Sequence, residues 1–292
     1  MDKHILEQQA NRIDAVLNQF GIQRRVTGGT VAPRHVRYDI GPLGSLEEAL
    51  ASALGVPAVR VVRNGGEIVA VEVPRDEIFP VRLDPLLRGL RNVPPVTAVL
   101  GIADDGVPLL VRLSSPDVGH ILVTGPAGCG KSSLLRVIAF SLAHLTPGLK
   151  ILSGPDPLTL ARLVRARERS RENWPLVVIL DGLPLTLDGL EEVIRRGPSV
   201  GVHLVVATRH AGPLARLGQF FGARVAPPSA PAGPGDFVAE SGGETIRFQA
   251  AWPDVDASTL SLPYGGNKED AIPLLYSGDG KEDGNGRLPH SL

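Results

Sequence analysis

The sequence predicts an α/β protein, a parallel sheet covered by helices, with a small α+β module ahead of it. Three observations carry that reading. The run ILVTGPAGCGKSSLLRVIAF passes from a β-like segment through glycines into an amphipathic helix; short apolar runs alternate with helical stretches after it; and strand pairs joined by Gly-rich turns precede it.

Residues 1–20 read as an N-terminal helix, with Ile5, Leu6, Ile13, Val16, Leu17 and Phe20 at helical spacing, Asp2 able to cap the start and Gly21 ending it. Residues 21–112 read as the small α+β module. Val31, Val36, Tyr38 and Ile40 are strand formers around the turn Gly28-Gly29, and Ser45 with Glu48 forms a capping box for a helix over 46–54. AVRVV, the turn Asn64-Gly65-Gly66 and EIVAVEVP make a hairpin, and LGIADDGVPLLVRLSSPD makes another that leads into the next domain, 113–253.

The glycines of that domain obey a chemical spacing. Gly125, Gly130, Lys131 and Ser132 satisfy G-x-x-x-x-G-K-[ST], with an apolar strand over 120–124 before them and Leu134, Leu135, Ile138 and Ala139 at helical spacing after them. A triphosphate needs several converging N–H donors, and only a Gly-rich turn lets backbone wrap that closely around phosphate oxygens, at the positive end of the helix that follows. The loop Gly125, Pro126, Ala127, Gly128, Cys129, Gly130, Lys131, Ser132 and Ser133 is therefore the candidate ATP site. Lys131 would reach the outer phosphates and Ser132 would ligate Mg²⁺. Cys129 is the chain's single cysteine, which excludes an internal disulfide; at a variable position of the motif it reads as a small filler.

Downstream, LKILS is a buried strand, PLTLARLVRARERSRENW a helix with a basic face, and PLVVILDG a buried strand ending in Asp181. An acid at the carboxyl end of such a strand is where a phosphate-loop enzyme places its second magnesium-directed group, so Asp181 joins Lys131 as catalytic and Ser132 as metal-directed. VHLVVATRH is a further parallel strand, which would bring Thr208 beside Asp181. His120 and His210 have no ligand spacing around them and read as structural.

Composition bounds the class. With 43% hydrophobic and 21% charged residues the chain is a soluble globular type; no apolar run reaches membrane-spanning length, and MDKHILEQQANRID has charges where a signal peptide is apolar, so a cytoplasmic location without a membrane is expected. Residues 113–252 are mildly basic and 253–292 acidic, an asymmetry that permits a nucleic-acid surface without demanding one. The Gly-rich, polar C-terminal tail, 254–292, is expected to be largely disordered.

The order of these features resembles the motor region of the FtsK/SpoIIIE DNA translocases. The resemblance rests on SLEEALASALGVPAVRVV followed by VEVP, on LGIADDGVPLLVRLSSPDVGHILVTGPAGCGKS, on VGVHLVVATRH, and on PGDFVAESGGETIRFQAAW as the closing hairpin. It implies a RecA-like P-loop NTPase domain that assembles as a homo-oligomer, a hexameric ring, around double-stranded DNA and moves along it by ATP hydrolysis, contacting the phosphate backbone without regard to sequence. It also likens 21–112 to the family's β-side domain.

The chain departs from the family pattern at the residue after Asp181. The family has a glutamate there that polarises the attacking water; this chain has Gly182, and the next acid is Asp188. Arg209 and His210 stand where the family shows Gln and Arg-Pro, the stretch between Lys131 and Asp181 is short, and RVAPPSAPAGPGD reads as a Pro-rich linker. Arg167, Arg169 and Arg171 could supply an arginine finger to a neighbouring subunit, although a solvated basic face is the plainer reading. Two functions follow: an ATP-driven DNA translocase motor, or a hydrolysis-poor member that binds nucleotide as a structural or regulatory subunit. A secretion-type ATPase that moves protein is the third, more distant reading.

Overall fold

The structure, a computed structural model, describes residues 3–33, 35–43, 47–64, 67–75, 80–183, 187–228 and 234–252. The helix caps at Asp2 and Ser45 and the expected disorder of 254–292 lie outside the described residues. Among those described, no helix is long and apolar enough to cross a membrane.

The N-terminal unit comprises α1 (Lys3–Gln19), β1 (Gly28–Val31), β2 (His35–Leu43), α2 (Glu47–Leu54), β3 (Arg60–Asn64) and β4 (Glu67–Pro74). Its strands form an antiparallel sheet ordered β1-β2-β4-β3. Every second residue of β2 and β4 points inward, so Val36, Tyr38, Val71 and Val73 meet Ile13, Val16 and Leu17 of α1 and Leu50 of α2 in one core. The Tyr38 hydroxyl reaches Gln9 Oε1 at 2.7 Å, which ties strand to helix at its polar tip. The helix set apart on sequence is thus a structural part of this unit.

The rest of the chain builds β5 (Val81–Arg82), α3 (Leu83–Gly89), β6 (Thr97–Ala103), β7 (Pro108–Arg112), β8 (Ile121–Thr124), α4 (Lys131–Leu145), β9 (Lys150–Ser153), α5 (Pro157–Ser170), β10 (Leu176–Asp181), α6 (Leu190–Arg196), β11 (Val202–Thr208), β12 (Ala223–Ala226), β13 (Asp236–Ser241) and β14 (Glu244–Trp252). They form one large mixed sheet ordered β7-β6-β14-β13-β12-β8-β11-β10-β9, with β5 pairing β14. The strands β12, β8, β11, β10 and β9 are parallel, and β13, β14, β6 and β7 continue the sheet antiparallel.

Two boundaries drawn on sequence move. On sequence the hairpin 97–112 groups with the N-terminal module, but β6 pairs with β14, Gly101 opposite Ala250, and so belongs to the large sheet. The stretch read as a linker from Arg224 contains β12, which lies beside β8 with Val225 opposite Val123.

Both faces of the parallel strands are apolar because both are covered. Val123, Val177, Ile179, Val205 and Ala207 face α4 through Leu134, Leu135 and Ile138; the intervening Leu122, Val178, Leu180, Leu204 and Val206 face α5, α6 and the following turns through Leu160, Val164, Val193 and Phe221. That is why PLVVILD shows no alternation in the sequence. α5 starts where Asp156 accepts a hydrogen bond from the Thr159 N–H at 2.8 Å with Pro157 in the first turn, and ends at Arg171, whose φ is +58°.

An ion-pair joint connects the two sheets. Arg60 of β3 lies 3.1 Å from Glu72 and 3.3 Å from Asp104, the residue that follows β6. Glu72 is buried, and His35 stands 3.8 Å from its other oxygen. These two acids and the histidine converge, but Arg60 bridges both carboxylates, so a protein cation already occupies the space between them.

Candidate nucleotide-binding site

β8 ends at Thr124, α4 begins at Lys131, and the candidate loop spans the gap. Gly125, Gly128 and Gly130 have φ of +146°, +80° and +103°, a backbone path that side chains with a Cβ rarely adopt. A Cβ at Gly125 would also stand 2.8 Å from both Cys129 Sγ and Pro227 Cδ. Gly130 caps α4 with no side-chain acceptor, so the first N–H groups of the helix have no side-chain partner there. The Lys131 ammonium lies inside the loop, donating to Gly125 O at 2.9 Å and Pro126 O at 2.7 Å and approaching Cys129 Sγ at 3.8 Å. Pro126, Ala127, Gly128 and Ser132 are exposed, and Cys129, Lys131 and Ser133 are half-buried.

The loop is held from one side by residues that the sequence reading left unassigned. Pro227, just past β12, packs on Gly125, while the Phe237 ring at the start of β13 lies 3.7 Å from where a Cβ at Gly130 would be. Phe237 stacks on Phe248 across the hairpin with ring centroids 5.9 Å apart, and both are fully buried. Pro227 follows a strand of only four residues, and nothing in the local sequence ties it to Gly125.

Asp181 is exposed at the carboxyl end of β10 and makes no ion pair among the described residues. Its register partner is Ala207 of β11, which in turn is opposite Val123 of β8. Two strand spacings, roughly 10 Å, therefore separate Asp181 from the strand that feeds the loop. Thr208 is buried one residue beyond that register, opposite Thr124, and its hydroxyl donates to His210 O at 3.2 Å. Arg209 and His210 are exposed.

An exposed hydroxyl at Ser132, an unpaired carboxylate at Asp181 and a cradle of glycine N–H groups fit a hydrated magnesium ion with a polyphosphate, since magnesium keeps several waters and takes one or two protein oxygens. Position 182 supplies nothing further. Gly182 has φ +107°, its N–H donates to Ala207 O at 2.9 Å, and there is open space where a Cβ would be. Asp188 belongs to the approach to α6, where Gly189 packs against Pro157 O of α5; residues 184–186 lie outside the described set.

The histidines and arginines weighed on sequence have structural surroundings. His120 is fully buried, its Nδ1 accepting from the Leu204 N–H at 2.9 Å and its Nε2 2.9 Å from Ile194 O, which fixes the neutral Nε2–H tautomer. Burial pushes it down to about 4, with neighbouring His203 adding to the fall. His203 is likewise lowered by burial, while its Nδ1 lies 2.8 Å from Gly119 O. Arg167 is buried, donates to Trp174 O and Val200 O at 2.9 and 3.0 Å, and lies 3.5 Å over the Trp174 ring. These carbonyls precede β10 and β11, at the end of the sheet opposite the loop, so Arg167 is a packing residue and not an arginine finger. Arg169 and Arg171 are exposed.

Comparison with known proteins places this geometry. A family model described as the FtsK alpha domain matches residues 1–75, which joins α1 to the four-stranded sheet where the sequence reading set it apart. The chain is 28% identical over 152 residues to the DNA translocase FtsK of Caldanaerobacter subterraneus subsp. tengcongensis, covering 48% of this chain and 21% of that one. It is 31% identical over 144 residues to FtsK of Mycobacterium leprae, covering 46% and 17%, and 26% identical over 154 residues to SpoIIIE of Bacillus subtilis, covering 48% and 19%. The chain spans about a fifth of the length of these relatives. Among solved structures, the pCW3 conjugation coupling protein TcpA, in a monomer form with ATPγS, aligns with a TM-score of 0.52 at 13% identity, covering 84% of this chain and 95% of that one. The cytoplasmic domain of the Thermomonospora curvata type VII secretion ATPase EccC aligns at 0.50 and 20% identity, covering 60% and 32%. The large sheet thus has a RecA-like P-loop NTPase fold, and over about half its length the chain is similar to the FtsK/SpoIIIE DNA translocases.

Proposed function

We propose that the chain binds ATP with Mg²⁺ at the 125–133 loop and acts as an FtsK-like translocase motor on double-stranded DNA, in a homo-oligomer of ring form. The observation that carries the reading is the alignment of the Gly125–Ser132 loop with Asp181 at one end of the parallel sheet. The loop N–H groups and the Lys131 ammonium, now held by loop carbonyls, would bind the phosphates; Ser132 and Asp181 would hold the cation. Bound there, Mg²⁺ neutralises charge that develops on the phosphoryl oxygens. The similarity to proteins named DNA translocases supports DNA as the polymer.

One observation favours the second reading, a nucleotide-gated subunit that turns over slowly. At Gly182 neither the side chain nor the backbone angle suits a carboxylate that would orient water, and such a group contributes about 10²- to 10⁴-fold in rate. Steady-state ATPase activity with and without long duplex DNA, at low and moderate salt, separates the two. Stimulation by DNA that fades with salt supports the motor; tight binding of an ATP analogue with no turnover supports the subunit; absence of nucleotide binding overturns both.

A further inference from the structure

The joint between the two sheets gathers more negative charge than its arginine balances. The alternation that turns Val36, Val71 and Val73 into the N-terminal core puts His35, Glu72 and Arg60 on the opposite face of that sheet, where they meet Asp104. Two carboxylates share one guanidinium there, since Arg247, the other cation nearby, is committed to Asp236. Arg60 serves both acids through a single nitrogen, Nη1, without the two-point grip of a strong guanidinium–carboxylate pair. Its side chain is 55% exposed and is free to turn into water.

The histidine is an independent sign that a ligand belongs here. His35 Nε2 is fully buried, has no hydrogen-bond partner among the described residues, and lies 3.8 Å from Glu72 Oε1. That gap is too wide for a hydrogen bond, and too narrow for a bridging water, which needs roughly 4.5 Å or more. Two ligands of one small metal ion, with bonds of about 2.1 Å, stand roughly 3–4 Å apart. One donor atom from each of His35, Glu72 and Asp104 lies within 4.8 Å of the other two, so side-chain rotation alone brings the set to bonding distance.

We propose that His35 Nε2, Glu72 and Asp104 bind a divalent ion of the zinc class, with Arg60 as its competitor. One imidazole with two carboxylates suits Zn²⁺, whereas Mg²⁺ keeps to oxygen. With Arg60 turned out, the two charges of the ion cancel those of the two acids, and water takes the fourth tetrahedral position. His35 and Glu72 belong to the N-terminal sheet and Asp104 follows β6 of the large one, so the ion clasps the two together. The site shares no residue with the phosphate loop and stands apart from the nucleotide reading.

Calorimetric titration of Zn²⁺ into the full, tag-free chain, with Mg²⁺ in excess and no nucleotide, tests it. One ion should bind per chain. His35→Phe and Asp104→Asn should each weaken binding at least about ten-fold, the cost of losing even an outer-shell partner of a metal. Arg60→Met should tighten it by about two- to five-fold, the scale of one exposed ion pair removed from competition. Asp104→Asn keeps its shape on a half-exposed turn, so it still decides the matter if His35→Phe unfolds. Absence of binding overturns the proposal and leaves Arg60 as the permanent occupant. Affinity unchanged in both ligand variants overturns it in favour of exposed histidines such as His4 and His144. Sulfur in the zinc X-ray absorption spectrum overturns it in favour of Cys129.

Discussion

Arg247 grips Asp236 across the β13–β14 hairpin through two hydrogen bonds, Nε to Oδ1 at 3.0 Å and Nη2 to Oδ2 at 2.6 Å. The carboxylate is almost fully buried, and that hydrogen bond, with Asp104 and Glu72 farther off, holds the guanidinium above its ordinary range. Removing the arginine leaves a buried charge uncompensated. Arg247→Ala should cost about 3 kcal/mol, equivalent to a Tm drop of about 6–12 °C, and calorimetry of the purified variant checks it. Because Asp236 immediately precedes Phe237, nucleotide affinity should weaken with it; an unchanged affinity would show that the hairpin does not brace the loop.

Lys131→Ala should abolish nucleotide binding and leave the fold intact. Its bonds go to carbonyls of a largely exposed loop, so little stability rests on them, whereas charge-assisted bonds to phosphate are worth about 1.5–3 kcal/mol each. A fluorescent ATP analogue should bind about 100-fold more weakly or worse, with Tm unmoved. Equal binding in both proteins would remove the loop from the site.

Restoring the family's acid with Gly182→Glu should fail to restore fast turnover. The φ of +107° suits glycine, and a side chain there costs about 1–2 kcal/mol even with open space around it. Tm should fall by about 2–8 °C while the ATPase rate stays flat. A gain of 100-fold or more would show that the turn relaxes and that the remainder of the site is built for hydrolysis.

Acid should destabilise the fold through His120. Its folded-state value of about 4 lies below the ordinary 6.5, so the unfolded chain binds the extra proton first; the stability this group contributes is full above pH 6.5 and is lost as pH falls toward 4. The span corresponds to about 3 kcal/mol. Urea titrations at pH 7.5 and 4.5 should show the loss, reduced in His120→Gln; an identical pH slope in that variant would assign it to other groups.

The phosphate loop was legible because its chemistry occupies adjacent residues with a strand and a helix on either side, and the β10–β11 pairing followed from two uninterrupted apolar runs. β12 was not, since Ala223–Ala226 is followed by Pro227 and Pro228 and owes its extended form to β8 and β13 on either side. The pairing of β6 with β14 left no local trace: each reads as half of its own hairpin. Arg167 shared a helical face with exposed arginines, and only the Trp174 ring and two carbonyls draw it inward. By residue identity Gly182 is a missing acid, but its backbone angle belongs to the turn after β10, which residue identity does not encode.

The place of β14 between β13 and β6 has a consequence for synthesis. Ribosomes deliver residues 97–112 long before 244–252, so β6 keeps one edge unpaired until nearly the whole described chain has emerged, and Gly101 has no side chain with which to guard it. A Cβ there would stand 2.0 Å from Gln249 O, so the residue that permits the final close approach cannot also block a wrong one. Such long-range closure is slow, and the nascent protein's exposure to chaperones or misplaced strands is set by the arrival of β14.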